Sequence, residues 1–375
     1  MKTYKFRLYP TKGQEIILNK HFNMCRFVYN QLLDELKNNN DRSHIQHHIV
    51  DLKKKYPELK QAYNKILHNE YWKLFINLKI LSQMKKKGYK IGRLRFKGKD
   101  WFKTIIYNQY GFRIIKTKKR FNRLHLSKIG DIRIMMHRSI EGKIKQIIIK
   151  RKTDSWEAHI ITDGIYKLQK GNRVIGIDLG VNNFIADNEG NIVNSPLHLK
   201  QGLKELKSLS QNLSRKKKGS KNRYKAKILI AKHYEHITQQ RDDFLHKITT
   251  MLIRDCKFIG MEDLDIKNLH QISYNARNMN DCSWGKFANM LCIKAESAGC
   301  IIVQINPKNT TKECNNCGNL QEMSLWQRVY NCHSCHIVED RDINSAKVIL
   351  RRALEQGSVE MNNSLSVKQE ALIIE

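Results

Sequence analysis

Four cysteines are grouped as two pairs, Cys314-x-x-Cys317 and Cys332-x-x-Cys335, with fourteen residues between the pairs. Each pair supplies two thiolates from one tight turn, and two such knuckles close on a tetrahedral Zn²⁺. Gly318 follows the first knuckle, where freedom to take a positive φ helps the turn to form. All four positions are cysteine, so no coordination place stays open and the spacing predicts a structural zinc. Lys312, Trp326 and Arg328 nearby are read either as nucleic-acid contacts or as solvated surface. The remaining cysteines, Cys25, Cys256, Cys282, Cys292 and Cys300, are dispersed. That scatter argues against a disulfide framework and predicts small buried apolar residues.

Three carboxylates form a second constellation. Asp178 ends the apolar run Val174-Ile175-Gly176-Ile177, and Glu262 ends Phe258-Ile259-Gly260-Met261. Both acids would project from the carboxyl ends of central strands, where α/β sheets place their ligands. Asp342 stands in Asp340-Arg341-Asp342-Ile343-Asn344-Ser345-Ala346, at the start of a helical pattern. Three acids meeting at one point repel one another unless a cation is present. Paired Mg²⁺ ions about 3.5–4 Å apart are the usual solution in phosphodiester chemistry. Periodicity alone equally allows three structural acids: Asp178 in a turn, Glu262 in an ion pair, Asp342 as a helix cap.

The elements that must hold these groups follow from changes of period. Residues 3–9 alternate apolar and polar, which predicts a half-buried strand ended by Pro10 and Thr11. Gly13 to about Asn38 and about Ala62 to Lys87 carry helical spacing. Short β-rich runs recur at Thr104–Tyr107, Phe112–Ile115, Arg133–Met135, Gln146–Arg151 and Glu157–Ile161, with turn signals at Gly111, Gly130-Asp131 and Glu141-Gly142. They predict a small antiparallel barrel or sandwich, with the first strand completing it. From Arg173 the pattern is α/β: strands at 174–178, 183–186 and 191–193, a long helix over about Asn222–Arg254, a strand at Lys257–Glu262, a helix marked by Trp284, Phe287, Leu291 and Ala295, a strand at Cys300–Ile305 and a last helix over 343–354. The long helix should bury Tyr224, Ile228, Ala231, Tyr234, Ile237, Phe244, Ile248 and Leu252.

Charge narrows the partners. Of 375 residues, 69 are Lys or Arg and 35 Asp or Glu, a formal net charge of +34. Such an excess destabilises a compact state, and a polyanion is the expected partner. Nucleic acid is the first expectation and an anionic membrane surface the second. No apolar run approaches the ~20 residues of a membrane-spanning helix and no signal core is seen at the amino end, so a cytosolic, nucleoid-associated protein is expected. Lys85-Lys86-Lys87, Lys116–Arg123, Lys150-Arg151-Lys152 and Arg215–Lys227 could line a phosphate channel. Tyr89, Phe96, Trp101, Phe102, Tyr107 and Tyr110 could stack on unpaired bases.

The residues also resemble a known family. Gly176-Ile177-Asp178-Leu179-Gly180, Gly260-Met261-Glu262-Asp263-Leu264 and Asp340–Ala346 are similar to the three motifs of the RuvC-like nuclease in TnpB proteins, also called OrfB, the transposase-associated proteins of bacterial and archaeal insertion sequences. The paired cysteines lie between the second and third motifs, as in that family. Tyr4–Pro10, Cys25–Asn30, Leu94–Lys99 and Asn309–Cys314 agree with it too. Ser345 replaces a more usual Ala, and Ile91-Gly92-Arg93 stands where a Pro-Arg pair is expected before Phe. The resemblance spans roughly residues 3–354.

That resemblance implies an α/β RNase H-like (RuvC) core with an inserted zinc ribbon, preceded by a β-barrel wedge domain that carries a helical recognition insert. The expected division is 1–12 and 90–170 for the wedge, 13–89 for the insert, 171–308 and 339–354 for the nuclease, 309–338 for the ribbon and 355–375 as a poorly ordered tail. It implies an RNA-guided DNA endonuclease that cuts beside a short target-adjacent motif, with a guide RNA derived from the transposon end and target DNA as partners. Asp178, Glu262 and Asp342 match the catalytic, magnesium-holding acids; of Asp340 and Asp342, the motif selects the latter. A pair of Mg²⁺ ions and one structural Zn²⁺ are the implied metals. Two other readings stand beside this one: a transposase that joins DNA strands, and a guide-dependent binding protein without cleavage.

Overall fold

The structure is a computed structural model. It describes residues 2–39, 41–99, 101–118, 120–164, 171–265, 276–324 and 326–371, with side chains in the last helix described through Gly357. Residues 165–170 of the expected wedge, 372–375 of the expected tail and Lys119 in the basic run lie outside the described residues. The chain divides into two compact units, Met1–Ile165 and Tyr166–Glu375.

In the first unit, β1 (Lys2–Tyr9) is followed by the helices α1 (Lys12–Asn38), α2 (Arg42–Lys55) and α3 (Asn64–Lys86). Six further strands are β2 (Thr104–Asn108), β3 (Phe112–Ile115), β4 (Asn122–Leu126), β5 (Gly130–Met135), β6 (Ile144–Arg151) and β7 (Trp156–Thr162). Their sheet order is β2-β6-β7-β1-β5-β4-β3. All its pairings are antiparallel. Its two outer strands, β2 and β3, follow one another through a single 3₁₀ turn, so the sheet curls into a near-barrel. β1 is central although three helices separate it in sequence from the rest. Tyr4, Phe6 and Leu8 supply its buried face, at the period of two a pleated strand requires.

Helix α1 starts at a reciprocal cap: Thr11 Oγ1 accepts from Gln14 N–H and Gln14 Oε1 accepts from Thr11 N–H. Its Leu18, Cys25, Val28 and Leu32 are buried with Ile66, Leu67 and Leu74 of α3 in the same core as the strands. Asn69 and Lys73 of α3 donate to the carbonyls of Ile106 and Thr104 on β2, which satisfies part of an edge strand.

Three expectations change here. Strand β4, which overlaps the basic stretch Lys116–Arg123 only at Asn122 and Arg123, was not anticipated, and the turn lies at 127–129, where Lys128 takes φ 69°, so Gly130-Asp131 begins β5 instead. Helix α2 was not anticipated. Phe102 and Tyr107 are core residues, Tyr107 stacked on Tyr63 at 5.8 Å, and are closed to bases. Tyr89, Phe96, Trp101 and Tyr110 are exposed.

In the second unit the strands are β8 (Arg173–Asp178), β9 (Asn183–Asp187), β10 (Ile192–Asn194), β11 (Cys256–Glu262) and β12 (Ile301–Ile305), in the order β10-β9-β8-β11-β12. The first three are antiparallel neighbours; β11 and β12 join β8 in parallel. This is the RNase H-like arrangement. Helices α4 (His198–Ser214), α5 (Lys221–Asp255), α6 (Ala276–Cys282) and α7 (Trp284–Ala298) connect them. Leu245, Leu252, Ile253, Phe287 and Leu291 of α5 and α7 cover one face of the sheet. Helix α8 (Arg341–Ala371) covers the other, with Ile349 and Ala353 against Phe258 and Val303. It continues as far as Ala371 through the stretch expected to be a tail. Helix α4 was not anticipated, and Tyr224 and Tyr234 of α5 face solvent instead of the core. Between β12 and α8 stands a small ribbon with strands β13 (Val329–Asn331) and β14 (Val338–Asp340).

Candidate active site and metal centre

Asp178 and Glu262 reach the same end of the sheet because β8 and β11 run in parallel, with Met261 opposite Ile177 in register. The third acid arrives through two glycines. A Cβ on Gly176 would lie 2.2 Å from Ala346 O, and one on Gly260 would lie 2.6 Å from Ala353 Cβ. Only glycine admits α8 so close to the strands. The helix therefore lies down on β8 and β11 with its amino end at the carboxyl ends of the strands, and Asp342 sits in its first turn. Asp340 is the cap: its Oδ1 accepts from the N–H groups of Asp342 and Ile343 at 2.8 and 3.3 Å. The cap is thus Asp340, and Asp342 is left to face the cavity.

All three acids line one open cavity of about 440 Å³, together with Asn183, Met279, Trp284, Thr311, Arg328 and Arg341. Glu262 and Asp342 are only 8% and 6% exposed. Asp342 Oδ1 accepts from Arg341 Nη2 at 3.0 Å, and its Oδ2 accepts from Asn183 Nδ2 at 3.1 Å with Arg328 Nη1 at 3.7 Å. Glu262 Oε1 accepts from Thr310 Oγ1 at 2.5 Å. Burial, then the charges of Glu262 and Asp342, push the Asp178 carboxyl well above its ordinary range, against the pull of Arg341. Burial also raises Glu262, against Thr310 and Arg352. Like charges are thus concentrated on largely buried carboxyl groups at the wall of one cavity, and a cation is what such a site stabilises. The donors are carboxylate oxygens, the hard ligands that suit Mg²⁺ or Mn²⁺, so the residues present fit the implied metal. The three carboxylates are spread more widely than the four ribbon sulfurs, every pair of which lies within 4.8 Å.

In the ribbon, Cys314 Sγ is 3.6 Å from Cys335 Sγ, and Cys317 Sγ 3.6 Å from Cys332 Sγ. A tetrahedron with Zn–S bonds of about 2.3 Å has edges of about 3.8 Å, so the sulfurs fit a zinc ion. Gly318 takes φ 73°, as its place after the knuckle requires, and His336 takes φ 59° at the same place after the second knuckle. Among the described residues, Tyr330, Cys314 and Cys332, with Met323, Cys335 and Ile337 beside them, form the core here, too few to hold the ribbon without a staple. Trp326 is 84% exposed, and Lys312 is paired with Glu322 at 2.7 Å.

The first unit holds basic and aromatic candidates but none of these acids. In the second, the exposed loop 215–220 carries Lys216, Lys217 and Lys218, while Arg223 donates to the carbonyls of Leu213 and Lys216 and so holds that loop. The sequence reading had no role for Asn183, Thr310 or Arg341. Thr310 and Arg341 stand inside motifs it had marked, and that was the only signal available.

A strand order of this kind, two carboxylates at parallel strand ends and a third on the covering helix, define a RuvC-type RNase H-like nuclease fold. Three family models match the chain: one described as "Probable transposase" over residues 156–273, one as "Cas12f1-like, TNB domain" over 284–349 and one as "Helix-turn-helix domain" over 1–43. Two relatives share the description "Putative RNA-guided DNA endonuclease". One, of Streptomyces pristinaespiralis, is 34% identical over 182 residues, 48% of this chain and 45% of that protein. The other, InsQ of Escherichia coli K12, is 25% identical over 372 residues, 93% of this chain and 92% of that protein. Among solved structures, the Cas12f1 chain of a complex with sgRNA and target DNA superposes with a TM-score of 0.61 at 18% identity, over 90% of this chain and 83% of that one. The chain is thus similar to these two relatives, over about half of its length in the first case and nearly all of it in the second, and it shares its fold with Cas12f1. No described helix is long and apolar enough to cross a membrane.

Proposed function

We propose that the protein is an RNA-guided, Mg²⁺-dependent DNA endonuclease of a transposable element, which cuts DNA beside a short target-adjacent motif. The observation that carries this is the single cavity lined by Asp178, Glu262 and Asp342 with Arg328 and Arg341 at its wall. In this reading the three acids hold a pair of Mg²⁺ ions. When bound, such ions polarise the phosphodiester and lower the pKa of a water. Asn183 and Thr310 orient Asp342 and Glu262, and Arg328 and Arg341 attract the phosphate and balance the acids when no substrate is present. The exposed basic stretches engage a guide RNA from the transposon end and its heteroduplex through backbone and shape. The place of action is then DNA in a prokaryotic cytosol.

The test is to purify the protein from cells that express the transposon end, sequence the RNA that accompanies it, and offer plasmids with randomised flanks and Mg²⁺. A defined RNA and cuts beside one motif are expected. Asp178→Ala should abolish cutting while RNA binding persists. Absence of a defined RNA refutes the reading. Joined-strand products from transposon-end DNA would mark a strand transferase, and guided binding without cuts a repressor.

A further inference from the structure

Glu262 owes its orientation to a residue outside the nuclease motifs. Thr310 is 2% exposed and stands in the turn that leads from β12 into the first zinc knuckle, four residues before Cys314. Its Oγ1 lies 2.5 Å from Glu262 Oε1 and 3.1 Å from Pro307 O. A hydroxyl has one proton to give. The carboxylate is the stronger acceptor, so that proton goes to Glu262. The turn is itself fixed at both ends. Asp263 N–H donates to Ile305 O at 2.8 Å, tying the end of β11 to the end of β12. Lys312 and Glu313 N–H donate to Asn309 O at 3.0 Å each. Glu313 is gripped by Arg351 and Arg352 of α8, and Asn344, at the start of that helix, donates to Glu313 O at 2.8 Å. Thr310 therefore cannot drift without moving β12 or α8.

We propose that Thr310 is a positioning residue for the nuclease site: the stem of the zinc ribbon, through this hydroxyl, anchors one oxygen of Glu262 and thereby presents the other to the metal-binding cavity. The proposal rests on the reading of Glu262 as a metal ligand. It gives the ribbon a part in the chemistry, since the turn that carries Thr310 runs directly into Cys314. A merely structural Thr310 would serve packing, and its methyl group would matter as much as its hydroxyl.

Thr310→Val keeps the shape and removes the donor; Thr310→Ser keeps the donor and removes the methyl. Both are compared with wild type and Glu262→Gln as full-length, RNA-bound protein. Mn²⁺ binding is followed by electron paramagnetic resonance, and the Mg²⁺ concentration for half-maximal cleavage is measured beside it. Loss of a group that orients a ligand typically weakens metal affinity about 10–100-fold. Thr310→Val should weaken Mn²⁺ binding by that factor, with a matching rise in the Mg²⁺ requirement and unchanged RNA affinity, and Thr310→Ser should rescue both to within about threefold of wild type. Mn²⁺ affinity unchanged in Thr310→Val, or a Ser variant as weak as the Val variant, overturns the proposal. If Thr310→Val does not fold, judged by less than one zinc per chain, the Ser variant decides: Mn²⁺ binding as weak as in Glu262→Gln overturns it. If Glu262→Gln binds Mn²⁺ like wild type, the metal reading of the site fails and the proposal with it. Loss in Glu262→Gln beside an intact Thr310→Val refutes the role of Thr310 alone.

Discussion

Gly176→Ala adds one carbon to the strand that carries Asp178. That carbon would lie 2.2 Å from Ala346 O and 2.6 Å from Leu350 N, where real Cβ atoms essentially never come within 3.0 Å. Both neighbours are backbone atoms of α8, so neither can rotate aside. The helix must lift by roughly 1 Å to restore ordinary contact. Overpacking of this kind costs about 1–3 kcal/mol, and the rigid neighbour puts the cost near the upper end. The same helix bears Asp342 one turn earlier, so the acid moves with it. A misplacement of ~1 Å can cost about 100-fold in rate. Gly260→Ala is the internal control. Its new carbon meets the Ala353 side chain at 2.6 Å and backbone only at 3.3 Å, so the helix has less reason to move. Thermal and denaturant unfolding of the RNA-bound protein, with single-turnover cleavage, should rank wild type above Gly260→Ala and Gly260→Ala above Gly176→Ala in both measures. A Gly176→Ala protein that melts and cuts like wild type would show that the glycine is not what seats α8.

Removal of zinc should unfold the ribbon while leaving the first unit's transition in place. Chelation followed by calorimetry and far-ultraviolet dichroism checks this, and added Zn²⁺ should restore the lost transition. Glu70 is fully buried, with one oxygen 2.6 Å from Lys73 Nζ, and burial pushes its pKa up to about 7. Its folded form binds the proton more tightly than the unfolded chain does, so the stability it contributes is complete below about pH 4.5 and is lost as pH rises through about 7. Glu70→Gln should flatten the melting-temperature slope of wild type between pH 5 and 8, an effect of roughly 1–3 kcal/mol; an unchanged slope refutes the assignment. Lys294 is buried and donates to His246 O, Thr249 Oγ1 and Thr250 Oγ1 at 2.7–2.8 Å, and burial lowers its pKa to about 8. Between pH 8 and about 10.5 the unfolded chain holds more protons, so this group makes stability rise with pH there. Lys294→Met should remove that rise and cost less than about 1 kcal/mol at pH 7, because a buried charge is traded for apolar bulk and both threonine hydroxyls keep their carbonyl acceptors. Denaturant titrations at pH 7 and 9.5 measure both.

The parts of the site that were legible in the sequence share one property: their geometry is local. Asp178 and Glu262 end apolar strands, and two cysteine pairs announce their own turns. The closeness of α8 to the sheet was not legible, since Gly176 and Gly260 were read only as members of apolar runs and their partners, Ala346 and Ala353, lie far along the chain. Thr310 and Glu262 are 48 residues apart, and no period links them. Helix α2 escaped because Ile45, Ile49 and Leu52 are its only buried residues, and α4 because it buries Leu206 alone. Strand β4 escaped because its charges obscured Leu124 and Leu126, both fully buried. Tyr224 and Tyr234 fit the helical period but are exposed on α5, so period alone overstated its buried face.

The chain order has a consequence for synthesis. By Ile305 the nuclease sheet has all five strands, yet one face waits for α8. A nascent chain at that stage carries two of the three acids and an uncovered apolar surface around Phe258 and Val303. The ribbon must emerge next, and only then the helix that closes the sheet and delivers Asp342. A ribosome-bound or prematurely stopped product is therefore incompetent to cut, and prone to aggregate instead. On the proposed reading, a nuclease with this chain order cannot cut before the helix that carries its third acid has been made.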